Sequence, residues 1–163
     1  MKKNILFMVI LSLAAINSSA VFADYNSCVY TPKGTAVSTI VYTTELTTAQ
    51  INAFIAWTQQ NYPNALLLRN PTDKYNCHSY AWYSQSTSNY MWMPDPSLYW
   101  QDGSYHDGTF PIIGYKINYT NGGHSGIMND NNYVTSKWGA YGLMKHYYTY
   151  CPYNSLIVHY FTR

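Results

Sequence analysis

The chain has 163 residues, with nine Lys and Arg, seven Asp and Glu, nineteen tyrosines and only 10% charged side chains. Lys2 and Lys3 stand at the very start, so the rest of the chain balances seven bases against seven acids and offers no basic excess to nucleic acid or an anionic membrane. This length fits one domain with one core, and a surface so poor in charge relies on Asn, Ser, Thr and Tyr for its solvation.

The first stretch reads as a secretory signal: Lys2 and Lys3, an apolar run from Ile5 to Ile16, then small residues. Cleavage is expected after Ala23, with Ala20 as the alternative. That makes residues 1–23 the signal and 24–163 a single exported domain, released outside the cell or into a periplasm. The run is too short for a comfortable bilayer span and no second run of about 18 apolar residues follows, so no stable membrane insertion is expected.

Residues 35–43 are rich in β-branched side chains and predict a strand. A helix start follows, with Thr47 as cap and Gln50 three residues on as a capping box. Ile51, Phe54 and Ile55 recur at helical spacing before Pro63 stops the run. Residues 64–74 read as a connection that delivers the chain to Asn76, a good cap residue. Cys77 then falls at the first helical position of a short helix running to about Ser84. Asp95-Pro96 predicts a second short helix through Trp100, and Asp102-Gly103 and Asp107-Gly108 mark turns around a solvated loop. Beyond it come strands at 112–120, 124–128, 133–136 and 155–162, with hairpin turns at Asn121-Gly122-Gly123 and Asn129–Asn132. A helix bearing a cysteine followed by a sheet bearing a histidine indicates an α+β fold.

Export implies an oxidising compartment for the three cysteines. Cys28 and Cys151 lie near opposite ends of the domain, and domain termini often lie together, so a Cys28–Cys151 disulfide with Cys77 free is the expected pairing. Sequence does not fix connectivity, and the other pairings stay open. A thiol at a helix N-terminus gains from unpaired N–H groups and the helix dipole, which favour the thiolate. His124, directly after a glycine turn, is placed to serve as its base, and such a pair can lower a thiol pKa to roughly 3 to 4. The alternatives are a buried or disulfide-bonded Cys77 and an incidental strand-end His124.

Tyr75-Asn76-Cys77-His78-Ser79-Tyr80-Ala81-Trp82, then Gly114 to Tyr119, then Gly123-His124-Ser125-Gly126-Ile127, resemble the papain-fold cell-wall hydrolases of the NlpC/P60 and CHAP type. The chain is also similar to small exported bacterial proteins carrying Y-N-C-H-S-Y-A-W and S-K-W-G. The resemblance covers roughly residues 70–140. It implies a papain-like fold and amide hydrolysis in peptidoglycan or another peptide substrate, with Cys77 as nucleophile and His124 as general base. In that family a polar residue about twelve positions after the histidine orients it, a count that lands on Ser136. Tyr75 is the candidate second donor to an oxyanion, His78 a candidate substrate contact, and Trp138 one of several aromatics that could stack on sugar. His146 and His159 read as surface or packing residues.

No cofactor is expected, and no metal site: Asp102 to His106 lacks a second cluster at ligand spacing. A glycosidase reading fails for want of paired carboxylates, Glu45 being the only glutamate. The alternative function is a noncatalytic exported domain on the same scaffold that binds glycan or protein. Redox exchange is weaker, because no C-x-x-C pair exists. The oligomeric state is not legible.

Overall fold

The computed structural model describes residues 23–120, 123–130, 132–153 and 158–163. The signal reading for residues 1–22, the turn residues Asn121 and Gly122, Asn131, and residues 154–157 at the start of the last predicted strand lie outside the described residues. The described residues form an α+β fold dominated by antiparallel sheet. Strands β1 (Tyr25–Tyr30) and β2 (Ala36–Val41) pair as a separate hairpin. The seven-stranded sheet runs β3-β8-β7-β6-β5-β9-β4, comprising β3 (Leu66–Arg69), β4 (His106–Gly108), β5 (Lys116–Tyr119), β6 (His124–Met128), β7 (Tyr133–Lys137), β8 (Leu143–Tyr147) and β9 (Val158–Thr162).

The helix predicted from Thr47 is α1 (Thr48–Asn61), and its capping box is formed: Thr47 Oγ1 accepts from Gln50 N, while the Gln50 side chain accepts from Thr47 N. The backbone stops at Tyr62, one residue before Pro63, which has no N–H to continue the ladder. Only Thr58 of α1 is buried; Phe54 and Trp57 rest on the Tyr141 ring, so the helix is lightly anchored scaffold.

Four strands were not expected from the sequence: β1, β3, β4 and β8. The solvated loop predicted around His106 is in part β4, whose backbone pairs with β9 while its side chains stay largely outside. The strand predicted at 112–120 begins only at Lys116, because Gly114 turns the chain at φ 86° and leaves Ile112 and Ile113 exposed. The second short helix is α2 (Leu98–Gln101), starting after Ser97 rather than Asp95. Asp95 instead accepts from the Ser97 N–H and hydroxyl in a turn before the helix.

The pleat sorts the sheet's side chains into two faces. Pairing of Tyr119 with His124, and of Ser136 with Met144, puts Tyr119, His124, Gly126, Ser136, Met144 and His146 on one face. Asn118, Ser125, Lys137 and Leu143 occupy the other. The first face supports a core of Ile117, Tyr119, Met128, Val134, Trp138, Met144 and Cys151. A second core joins Val29, Val37 and Val41 of the hairpin to Trp82, Met93, Tyr99 and Phe161.

Those two cores explain the cysteines. No Cys28–Cys151 disulfide is formed, and all three cysteines are free thiols. Val29 turns into the hairpin core, so its strand neighbour Cys28 must face outward, whereas Cys151 is buried in the other core. Among the described residues no helix is long and apolar enough to cross a membrane.

Candidate active site

Asn76 builds the start of the cysteine helix. Its Oδ1 accepts from Ser79 N at 3.0 Å and its carbonyl accepts from Tyr80 N at 3.0 Å, which is N-cap geometry with Cys77 at the first helical position. The turn then widens into a π-helix, π1 (Ser79–Tyr83), closed by Ser84 N donating to Ser79 O. π1 packs on the Ser125 face of the sheet, where Trp82 Nε1 donates to Ser125 Oγ at 3.0 Å and His78 Nδ1 lies 2.9 Å from the same oxygen.

Cys77 Sγ consequently sits at the start of β6, 4.0 Å from the carbonyl oxygen of Gly123, with 5% of the residue exposed. The activated thiolate expected at the helix N-terminus is not what this environment favours. Burial pushes the thiol up to about 11, against the opposing pull of the Ser125, His78 and Cys77 N–H groups and the Lys137 charge. The helix-end donors are present as the sequence implies, but desolvation outweighs them.

His124, one residue beyond Gly123, points to the opposite face and is wholly buried. Its Nε2 lies 3.0 Å from Ser136 Oγ on β7, the residue twelve positions on to which the family resemblance points. Its Nδ1 is buried without a hydrogen-bond partner, so no bond to the Cys77 sulfur is made in this state. Burial first, then the neighbouring His146 and His78, hold the imidazole well below the ordinary histidine range. Thiol and imidazole are thus both neutral, and the ion pair expected from the sequence is replaced by a neutral acid and a neutral base.

Ser136 is itself a junction. His146 Nε2 on β8 lies 2.7 Å from its Oγ, Trp138 Nε1 donates to it at 3.1 Å, and His146 Nδ1 lies 2.8 Å from the Tyr147 carbonyl. The close approach of β6 and β7 here depends on Gly126: a Cβ at that position would meet Val134 Cγ1 at 2.3 Å and Ser136 Cβ at 3.1 Å. This supplies a physical role for the glycine in the His-Ser-Gly-Ile sequence.

Tyr153 covers the imidazole, its ring 4.1 Å from that of His124 between centroids and 9° from parallel. Burial raises its phenol, and the charges Cys77 and Cys151 would carry as thiolates raise it further. Lys137, also fully buried, donates to the carbonyls of Thr72 at 2.8 Å, Gly139 at 2.6 Å and Tyr141. Burial pulls it down to about 7, with Cys77, Glu45 and Asp73 acting to hold it up.

The three residues expected to touch substrate each have an internal partner. Tyr75 is buried beside Tyr80 with the Lys137 ammonium 5.2 Å from its ring centroid, His78 is held by Ser125, and Trp138 is held by Ser136. Sequence reasoning missed His146, Lys137 and Tyr153. The alternation through Leu143–Tyr147, with Met144 and His146 on one face, was the available signal for His146. Among the described residues no group of three or more His, Cys, Asp or Glu is placed to hold a metal ion.

Alkylation measures this burial directly. In native protein at pH 7, exposed Cys28 is expected to react with iodoacetamide roughly 100-fold faster than Cys77 or Cys151, whose thiols are buried and protonated. Tyr153→Ala is expected to raise the Cys77 rate selectively, followed by peptide mapping. Equal rates at Cys28 and Cys77 in wild type would show that the sulfur is open to solvent. No protein-family model, curated protein or solved structure matches the chain.

Proposed function

We propose that the chain is an exported cysteine hydrolase on a papain-like scaffold that cleaves amide bonds, with peptidoglycan peptides as the leading substrate class. The observation that carries this reading is the His124 imidazole: Nε2 is fixed by Ser136 on the adjacent strand while Nδ1 is left unpartnered, in a residue that directly follows the one touching the Cys77 sulfur. Cys77 Sγ attacks the substrate carbonyl carbon as His124 Nδ1 takes the thiol proton; that proton passes to the leaving amine. Water then hydrolyses the thioester and restores the thiol. The Cys77 backbone N–H, at the helix start, is placed to stabilise the oxyanion. Substrate must displace Tyr153, and the carbonyl must be seated where the thiol can surrender its proton to a neutral base.

The test is digestion of purified peptidoglycan, with new amine-bearing fragments read by mass spectrometry. Wild type is expected to release them, and Cys77→Ala and His124→Ala to release none while keeping a native circular-dichroism spectrum. Absence of fragments with wild type on every cell-wall preparation sinks the hydrolase reading.

A second reading rests on a different feature. An open groove of about 500 Å³ is lined by Trp100, Tyr105, His106, Asp107, Asn118 and Phe161 among others, and by neither Cys77 nor His124. Aromatic faces beside polar tips suit a sugar ring, so a noncatalytic glycan-binding domain is the alternative. Under it, peptidoglycan binding without cleavage persists in Cys77→Ala and is lost in Trp100→Ala.

A further inference from the structure

We propose that His146 is a positioning residue that sets the tautomer of His124 through Ser136, so that the His124 proton resides on Nε2 and Nδ1 is left as the bare basic nitrogen. The inference rests on the hydrolase reading only for its consequence in catalysis; the proton arrangement follows from the hydrogen bonds and the burial of both imidazoles.

The proton order is set by a group with no choice. A backbone carbonyl only accepts, so His146 Nδ1, 2.8 Å from the Tyr147 oxygen, carries a proton and donates it. His146 is fully buried and neutral, since burial pulls it down to about 4. A neutral imidazole has one N–H, so His146 Nε2 is an acceptor. Its partner at 2.7 Å is Ser136 Oγ, which must therefore donate its single proton to His146. An indole N–H only donates, so Trp138 Nε1 at 3.1 Å occupies one lone pair of the same oxygen. Ser136 has one lone pair left and no proton left. His124 Nε2, 3.0 Å away, has to donate to it. His124 is neutral as well, so its other nitrogen, Nδ1, holds a lone pair, and this is the buried atom that has no partner.

The reverse arrangement fails at both ends. If Ser136 donated to His124, then His146 Nε2 would have to carry a proton toward Ser136. His146 would then either present a lone pair to the Tyr147 carbonyl at 2.8 Å or be doubly protonated in a buried site behind Ser136 and the buried His124. The serine at the orienting position is accordingly sufficient for its task. A hydroxyl can donate as well as accept and would not by itself choose a tautomer; the histidine behind it makes the choice.

The direct test is the tautomeric state of each histidine in ¹⁵N-labelled protein at pH 7, read from two-bond ¹H–¹⁵N correlations. Wild type is expected to show His124 protonated at Nε2 and His146 at Nδ1. In His146→Phe the Ser136 hydroxyl loses its acceptor and turns toward His124, so the Nδ1–H form of His124 should become populated; in His146→Gln the amide oxygen can accept from Ser136 and the Nε2–H form should return. In the digestion assay the Phe variant should lose about 100-fold in kcat with KM little changed, and the Gln variant should recover most of it. His124 protonated at Nδ1 in wild type, or at Nε2 in the Phe variant to the same extent as in wild type, overturns the proposal. Should the Phe variant fail to fold, the wild-type assignment still decides. A wild type with the expected tautomers and no cleavage activity leaves the relay standing and removes the hydrolase reading.

Discussion

Acidification from pH 7 to pH 4 is expected to unfold the protein. His78, His124 and His146 are 6%, 0% and 0% exposed, and their burial lowers all three: His78 and His146 to about 4, His124 well below the ordinary value. In the unfolded chain each titrates near 6.5. A histidine with a depressed folded pKa binds fewer protons in the native state than in the unfolded one, so its contribution to stability is fully present above about 6.5 and is lost as pH falls through the window toward 4. At about 1.4 kcal/mol per pH unit, His78 and His146 each remove roughly 3 kcal/mol by pH 4, and His124 adds to this. Domains of this size are stable by about 5–15 kcal/mol, so the sum is comparable with the whole. The imidazoles also repel one another once charged, because His124 senses both His146 and His78. Asp73 opposes the trend, since burial and Glu45 raise it and favour its protonation in the fold, but one partly screened carboxyl does not offset three buried rings. Tryptophan fluorescence and far-ultraviolet circular dichroism during a pH titration should show one cooperative loss of signal between about pH 6 and 4. A native signal persisting below pH 4 with the histidines protonated would falsify the claim that these rings are held dry.

Legibility of the molecule in its sequence followed the range of the signals. The capping box at Thr47 and Gln50, the Asn76 cap and the strand at His124–Met128 are written in a few neighbouring residues, and each is found where the spacing puts it. The count of twelve from His124 to Ser136 also leads to a real hydrogen bond, because a tight hairpin between paired strands brings positions on either side of the turn together. Strands whose existence depends on distant partners were not legible. β3 lies between Pro63 and Pro71 at the sheet edge and reads as a connection until β8 pairs with it, while β8 follows a glycine-containing loop and carries Lys145 and His146 amid its apolar residues. The state of Cys77 was hidden for a related reason. Local sequence reveals a helix N-terminus, but the burial of the sulfur is decided by segments from elsewhere in the chain, such as Gly123 at the start of β6.

Truncation of Asn76 is expected to cost as much as removing a buried aromatic near the site. Asn76 is 4% exposed and three of its four hydrogen-bonding directions are used inside the protein: Oδ1 accepts from Ser79 N at 3.0 Å and Met93 N at 3.2 Å, and Nδ2 donates to Met93 O at 2.7 Å. It therefore caps the cysteine helix and ties it to the segment at Met93, itself fully buried in the core around Trp82. Loss of an exposed cap costs about 1 kcal/mol, whereas each buried group left unsatisfied costs about 1–3 kcal/mol. Asn76→Ala strands two N–H groups and one carbonyl, and should cost about 3–5 kcal/mol in chemical denaturation. Asn76→Asp should not rescue it. The carboxylate keeps both acceptor contacts but sets a second oxygen against the Met93 carbonyl and places a charge in the interior. Asn76→Ser should recover about 1 kcal/mol, since a hydroxyl can cap Ser79 but cannot span to Met93. Because the first residue of the released helix is Cys77, alkylation of that thiol in Asn76→Ala should accelerate below the denaturant concentration at which the sheet unfolds. A cost under about 1 kcal/mol, with Asp equal to Asn, would reduce Asn76 to an ordinary surface cap and leave the burial of Cys77 without its anchor.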